Sequence, residues 1–120
     1  MLLVTYADAG ALAVANQATL ISRLEEKRGP VAIIFDVHDA VRSVPMDVPT
    51  FWLSVTGRRE LEIRAMAIVT HHAAVRVAAS GFGLANKVRG VATKVDTFAT
   101  VPSAVEWAAQ TNRLDSDSAR

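Results

Sequence analysis

Gly29-Pro30-Val31-Ala32-Ile33-Ile34-Phe35-Asp36 is the stretch whose reading decides the fold. Gly29-Pro30 stops a helix. The continuous apolar run Val31 to Phe35, bounded by Pro and Asp, has the pattern of a strand buried on both faces. Such a strand sits in a largely parallel sheet with helices packed on it, so its neighbours should supply further buried strands and amphipathic helices.

They do. Upstream, Leu2 to Tyr6 reads as a short strand closed by Asp8 and Gly10. From about Ala11 to Lys27 the period becomes helical. Ala13, Val14, Ala18, Leu20, Ile21 and Leu24 fall on one arc, and Asn16, Thr19, Arg23 and Glu26 on the other. The basic pair Lys27-Arg28 suits the negative end of that helix.

Downstream, a polar loop runs from Asp36 to Met46, and Asp47 is placed to cap a second helix with Pro49 in its first turn. Val48, Phe51, Trp52 and Val55 give it an apolar stripe, and Gly57-Arg58-Arg59 ends it. The run Arg58 to Glu62 reads as solvated surface.

Ala65 to Thr70 is a third, nearly all-apolar strand. A third helix begins near His72 with Val75, Ala78, Ala79 and Phe82 on one face. Gly81, Gly83 and Gly90 are expected to fray or kink its far end. Val95 to Ala99 is a shorter, alternating strand. The last helix starts at Thr100 and runs through Val101, Ala104, Val105 and Ala108. Residues 111–120 have no apolar period and are expected to form a mobile tail. The expectation is one α/β domain over residues 1–110, in βαβαβαβα order, with a largely parallel four-stranded sheet.

Composition narrows the function. The chain has 120 residues, 51% of them hydrophobic, and a formal net charge of +1. That is enough for one real core and too little for two. No basic cluster exceeds Lys27-Arg28 and Arg58-Arg59, so a nucleic-acid partner is not expected. The absence of cysteine excludes disulfides, thiolate nucleophiles and cysteine metal sites, and fits a reducing compartment. The N-terminus shows no basic segment followed by a long apolar run, and no apolar stretch approaches the about 20 residues of a membrane span. A cytoplasmic protein without membrane insertion is expected.

Two stretches carry a family resemblance: Val31-Ala32-Ile33-Ile34-Phe35-Asp36-Val37, and the ending Thr97-Phe98-Ala99-Thr100 followed by Ala104 and Trp107. Joined by Arg64-Ala65-Met66-Ala67-Ile68-Val69, they resemble SpoIIAA-like proteins, a group related to STAS domains and similar in fold to the lipid-carrying CRAL-TRIO domains. The resemblance implies a non-enzymatic regulatory module that binds a protein partner or a second copy of itself. It also implies an alternative, a cleft between the second helix and the sheet that holds a small apolar, lipid-like ligand. STAS anti-sigma-factor antagonists carry a phosphorylated serine in an Asp-Ser-Ser/Thr-Gly-like turn. Here the loop reads Asp36-Val37-His38-Asp39-Ala40-Val41-Arg42-Ser43-Val44-Pro45. Ser43 is its only hydroxyl and has no helix start directly after it, which disfavours it as a phosphoacceptor.

The chemistry-bearing residues assemble no catalytic site. Gly81-Phe82-Gly83 begins like a dinucleotide fingerprint, but it follows its strand by about ten residues and lacks the third glycine. His71-His72 and His38 sit at the ends of neighbouring buried strands, where His38 and His71 are able to approach each other. Adjacent histidines diverge, however, and a metal needs further ligands. Ser43, His38 and Asp36 lack a nucleophile elbow and an oxyanion hole. No cofactor and no metal are expected. The candidate binding residues are His38, Ser43, Phe51, Trp52 and His71. Phe51 reads as core, while Trp52 is the aromatic available to a cleft or a dimer face.

Overall fold

The computed structural model describes residues 2–6, 17–27, 29–58 and 60–118, the last six by their backbone alone. Along them run β1 (Leu2–Tyr6), α1 (Ala18–Glu26), β2 (Val31–Val37), α2 (Asp47–Thr56), β3 (Ile63–Val69), α3 (Ala73–Val88), β4 (Lys94–Phe98) and α4 (Val101–Ser118). The four strands form one sheet in the order β1-β2-β3-β4, every neighbouring pair parallel. This is the α/β layout that the alternating pattern predicts. Among the described residues, no helix is long and apolar enough to cross a membrane.

Strand order dictates the layers. Right-handed crossovers between consecutive parallel neighbours carry each connecting helix to the same face. Accordingly Leu20 and Leu24 of α1, Val48, Trp52 and Val55 of α2, and Val75 and Phe82 of α3 share one core with Ile33, Phe35 and Met66. The helix α4 has no further strand to feed and takes the opposite face, where Ala104 and Ala108 pack on Ala32, Ile34, Ala65, Ala67 and Val69. In β3 the register slips between Val31 and Ala32 of its partner. The extra residue, Arg64, lets both Ile63 and Met66 face the three-helix core.

Several local expectations change. The α1 backbone starts at Ala18, whose side chain is exposed; Asp8, Gly10, Ala13 and Val14 lie outside the described residues. Met46, not Asp47, occupies the N-cap of α2, and Asp47 instead places its carboxylate in the positive first turn. Leu61 is buried in the core rather than solvated. Val105 is exposed, because α4 turns Ala104 and Ala108 to the sheet.

The last helix begins at Val101, with Thr100 just before it accepting from the Ser103 amide on Oγ1 at 3.4 Å. The backbone of α4 stays helical to Ser118, past the point where the apolar period stops. Likewise α3 runs unbroken through Gly81 and Gly83. Past its last residue, Val88, the chain turns at Gly90, whose φ of 74° suits glycine, with Gly90 N–H donating to Lys87 C=O and Val91 N–H to Asn86 C=O. That pair of bonds is a Schellman stop rather than fraying.

Candidate binding cleft

Three helices cover one face of the sheet incompletely. Between α2, α3 and the strands lies an open cleft of about 80 Å³. Phe35, Met66 and Ile68 form its floor. Val48, Pro49 and Trp52 form the α2 wall, and Val75, Ala78, Ala79 and Phe82 the α3 wall. The i, i+3, i+4, i+7 spacing of the α3 residues puts them on one stripe, and on α2 Val48 and Trp52 stand one turn apart with Pro49 beside Val48. The gap follows from size: α2 presents Trp52, whereas α3 answers with two alanines that cannot reach across.

The aromatic packing is ordered. The Tyr6 ring stacks on Phe35 at 5.6 Å and 13°. Trp52 meets Phe35 edge-on at 5.2 Å, and Phe51 meets Trp52 edge-on at 5.5 Å. Tyr6 turns its hydroxyl away from carbon to donate to Gln17 Oε1 at 2.9 Å. Burial pushes the Tyr6 phenol well above its ordinary range, and the Gln17 hydrogen bond opposes that only in part. Among the described residues, none that lines the cleft carries a charge.

The aromatic assignment therefore reverses in part. Trp52 is 5% exposed and serves both core and cleft, while Phe51 is half-buried and outside the lining. Adjacent helical residues point about 100° apart, and a four-residue stripe does not say which of the two is central. Tyr6 is a cleft residue that the sequence reading left unassigned. Its position two residues beyond Val4 in an alternating strand was the available signal.

Of the loop after β2, Asp39, the chain neighbour of His38, is the residue that meets His71. His71 places Nδ1 3.3 Å from the Asp39 carboxylate and Nε2 2.9 Å from the Ala99 carbonyl oxygen. His72 Nε2 donates to the Asp39 carbonyl at 2.6 Å. His38 keeps to its own loop, where Nδ1 accepts from Ala40 N–H at 3.1 Å. These contacts tie the loop after β2 to the ends of β3 and β4. Among the described residues, no three His, Cys, Asp or Glu side chains are placed to hold a metal. Ser43 is exposed in the irregular segment before α2. Gly81-Phe82-Gly83 lies inside α3, far from a strand-to-helix turn.

Within the core, Asn86 was not singled out beforehand. It is fully buried, its Oδ1 accepts from Thr56 Oγ1 at 3.0 Å, and its Nδ2 has no hydrogen-bond partner among the described residues. Asn86 and Thr56 pin the far ends of α2 and α3 together, at the opposite end from Val48 and Val75.

No family model, curated protein or solved structure matches the chain.

Proposed function

We propose that this protein is a non-enzymatic interaction module that captures one aliphatic side chain of a protein partner in the α2–α3 cleft. The observation that carries this reading is the cleft itself: open, without a charge among its described lining residues, and walled by Phe35, Trp52, Ala78, Ala79 and Phe82. An anchor residue entering a desolvated pocket is how a few side chains dominate binding between proteins. Size selects the occupant. At about 80 Å³ the cleft is roughly half the ~150 Å³ that houses a benzene ring, and well below the ~300–1,000 Å³ of ordinary small-molecule pockets. A leucine, isoleucine or valine side chain suits it better than a lipid chain does. The resemblance to STAS domains points to the same class of role.

Selection of a displayed random-peptide library on the native protein tests this. Enriched peptides should share one aliphatic residue, and Ala78→Leu, which fills the cleft from α3, should abolish their binding. Peptides that bind Ala78→Leu equally well would place recognition elsewhere. The lipid-like alternative predicts a retained organic molecule in native mass spectrometry of the purified chain, lost in the same variant.

A further inference from the structure

The connections part at only one place among the described elements. After β3 the chain enters α3, which packs with the three-helix core, and after β4 it enters α4, which packs on the other face. In open parallel sheets, ligands bind in the crevice that such a divergence opens at the carboxyl ends of the strands. A crevice of about 200 Å³ lies there, lined by Thr70, His71, Arg76, Thr97, Phe98 and Ala99. It shares no described residue with the apolar cleft.

Its chemistry is of the opposite kind. Arg76 is exposed and makes no ion pair or side-chain hydrogen bond among the described residues, so its forked guanidinium is available. Thr70 is buried, and its Oγ1 accepts from the His72 amide at 3.1 Å, which leaves the hydroxyl hydrogen to donate. The Thr97 hydroxyl has no intramolecular partner among the described residues.

His71 forms the wall. Both its ring nitrogens face acceptors, the Asp39 carboxylate and the Ala99 carbonyl oxygen. Asp39 is engaged by His71, and the Asp96 carboxylate accepts from the Thr97 amide at 2.8 Å. Phe98 and Ala99 add an apolar strip.

We infer that this crevice binds a small organic oxyanion, a phosphomonoester or a carboxylate. Arg76 provides the charged contact, Thr70 and Thr97 donate hydroxyl hydrogen bonds, and Phe98 packs on the carbon portion. His71 acts as a positioning residue, holding the Ala99 turn and the Asp39 loop around the opening.

Titration of the full chain with inorganic phosphate, and separately with succinate, at constant ionic strength tests the assignment. Amide resonances of Thr70 to Arg76 and Thr97 to Ala99 should shift and saturate with at least one of the two ions. Saturation at the lower concentration by phosphate assigns a phosphoryl ligand, and by succinate a carboxylate. Arg76→Gln, an exposed change on a helix surface, should weaken binding by about tenfold or more, the scale of a lost charge-assisted hydrogen bond. Lys87→Gln, near the far end of α3, should leave it unchanged. The inference fails if neither ion gives saturable shifts at these residues. It fails equally if Arg76→Gln binds as tightly as the parent, or if Lys87→Gln weakens binding to the same extent.

Discussion

The two faces of the sheet solve the burial problem in opposite ways. One is covered by three helices that bring leucine, valine, tryptophan and phenylalanine onto Ile33, Phe35 and Met66, and it retains a cleft. The other is covered by one helix whose Ala104 and Ala108, both fully buried, settle onto Ala32, Ala65 and Ala67. Small side chains let a helix approach the sheet until little space remains. Large, irregular ones hold helices apart, and any mismatch among them becomes a cavity. More cover has therefore produced the looser face, and the place for a partner is found there.

The comparison breaks most visibly at Trp52. If it is core first and cleft wall second, Trp52→Ala removes the edge-on contacts to Phe35 and Phe51 and enlarges the cavity. A loss of about 3–5 kcal/mol is expected in urea denaturation. A loss confined to partner binding, with the denaturation midpoint unchanged, would return Trp52 to an interface.

The next test adds atoms instead of removing them. Ala108→Leu on the tight face should overpack against the sheet and cost about 1–3 kcal/mol. Ala78→Leu on the loose face should change stability by less than about 1 kcal/mol, since the new side chain enters existing space. Equal costs would mean that the two faces are packed alike.

Much of this contrast was legible in the chain. Val31 to Phe35 and Ala65 to Val69 are apolar without alternation, so both had to be covered on two sides, and the parallel sheet follows. The alanine periodicity of α4 and the bulky stripe of α2 were visible too. What periodicity does not report is distance between elements. It identified Trp52 and Phe51 as neighbours on one stripe but not which of them points inward. It placed the three histidines at strand ends but not Asp39 against His71, because that depends on how the loop after β2 folds back. It read Gly81 and Gly83 as weaknesses, since helix propensity counts the glycine and ignores what lies opposite.

A smaller effect is expected from Tyr6 in the cleft lining. Tyr6→Phe keeps the stacked ring on Phe35 but removes the hydroxyl that donates to buried Gln17, at a cost of about 1 kcal/mol. It also has a signature in pH. Burial raises the phenol's pKa in the folded chain, so the folded state keeps its proton where the unfolded chain has begun to lose it. Stability is then fully present below the ordinary tyrosine pKa of about 10 and falls as pH rises above it. Tyr6→Phe should flatten this alkaline decline in denaturation curves measured at increasing pH. An unaltered decline would assign it to other groups.

The smallest expected effect compares two glycines of one helix. Both Gly81 and Gly83 sit inside α3, where replacing glycine by alanine relieves a backbone-entropy cost of about 0.5–1 kcal/mol. A Cβ at Gly81 meets nothing within 4 Å, so Gly81→Ala should gain that whole amount. A Cβ at Gly83 lies 3.2 Å from the Val95 Cβ on β4, a close approach between helix and strand that only a small shift relieves. Gly83→Ala should therefore gain less than Gly81→Ala, by thermal denaturation of the two variants side by side. That ordering would show that the three-helix face is not loose throughout. It is tight where α3 passes Val95 of the edge strand and open between α3 and α2, and equal gains would remove that distinction.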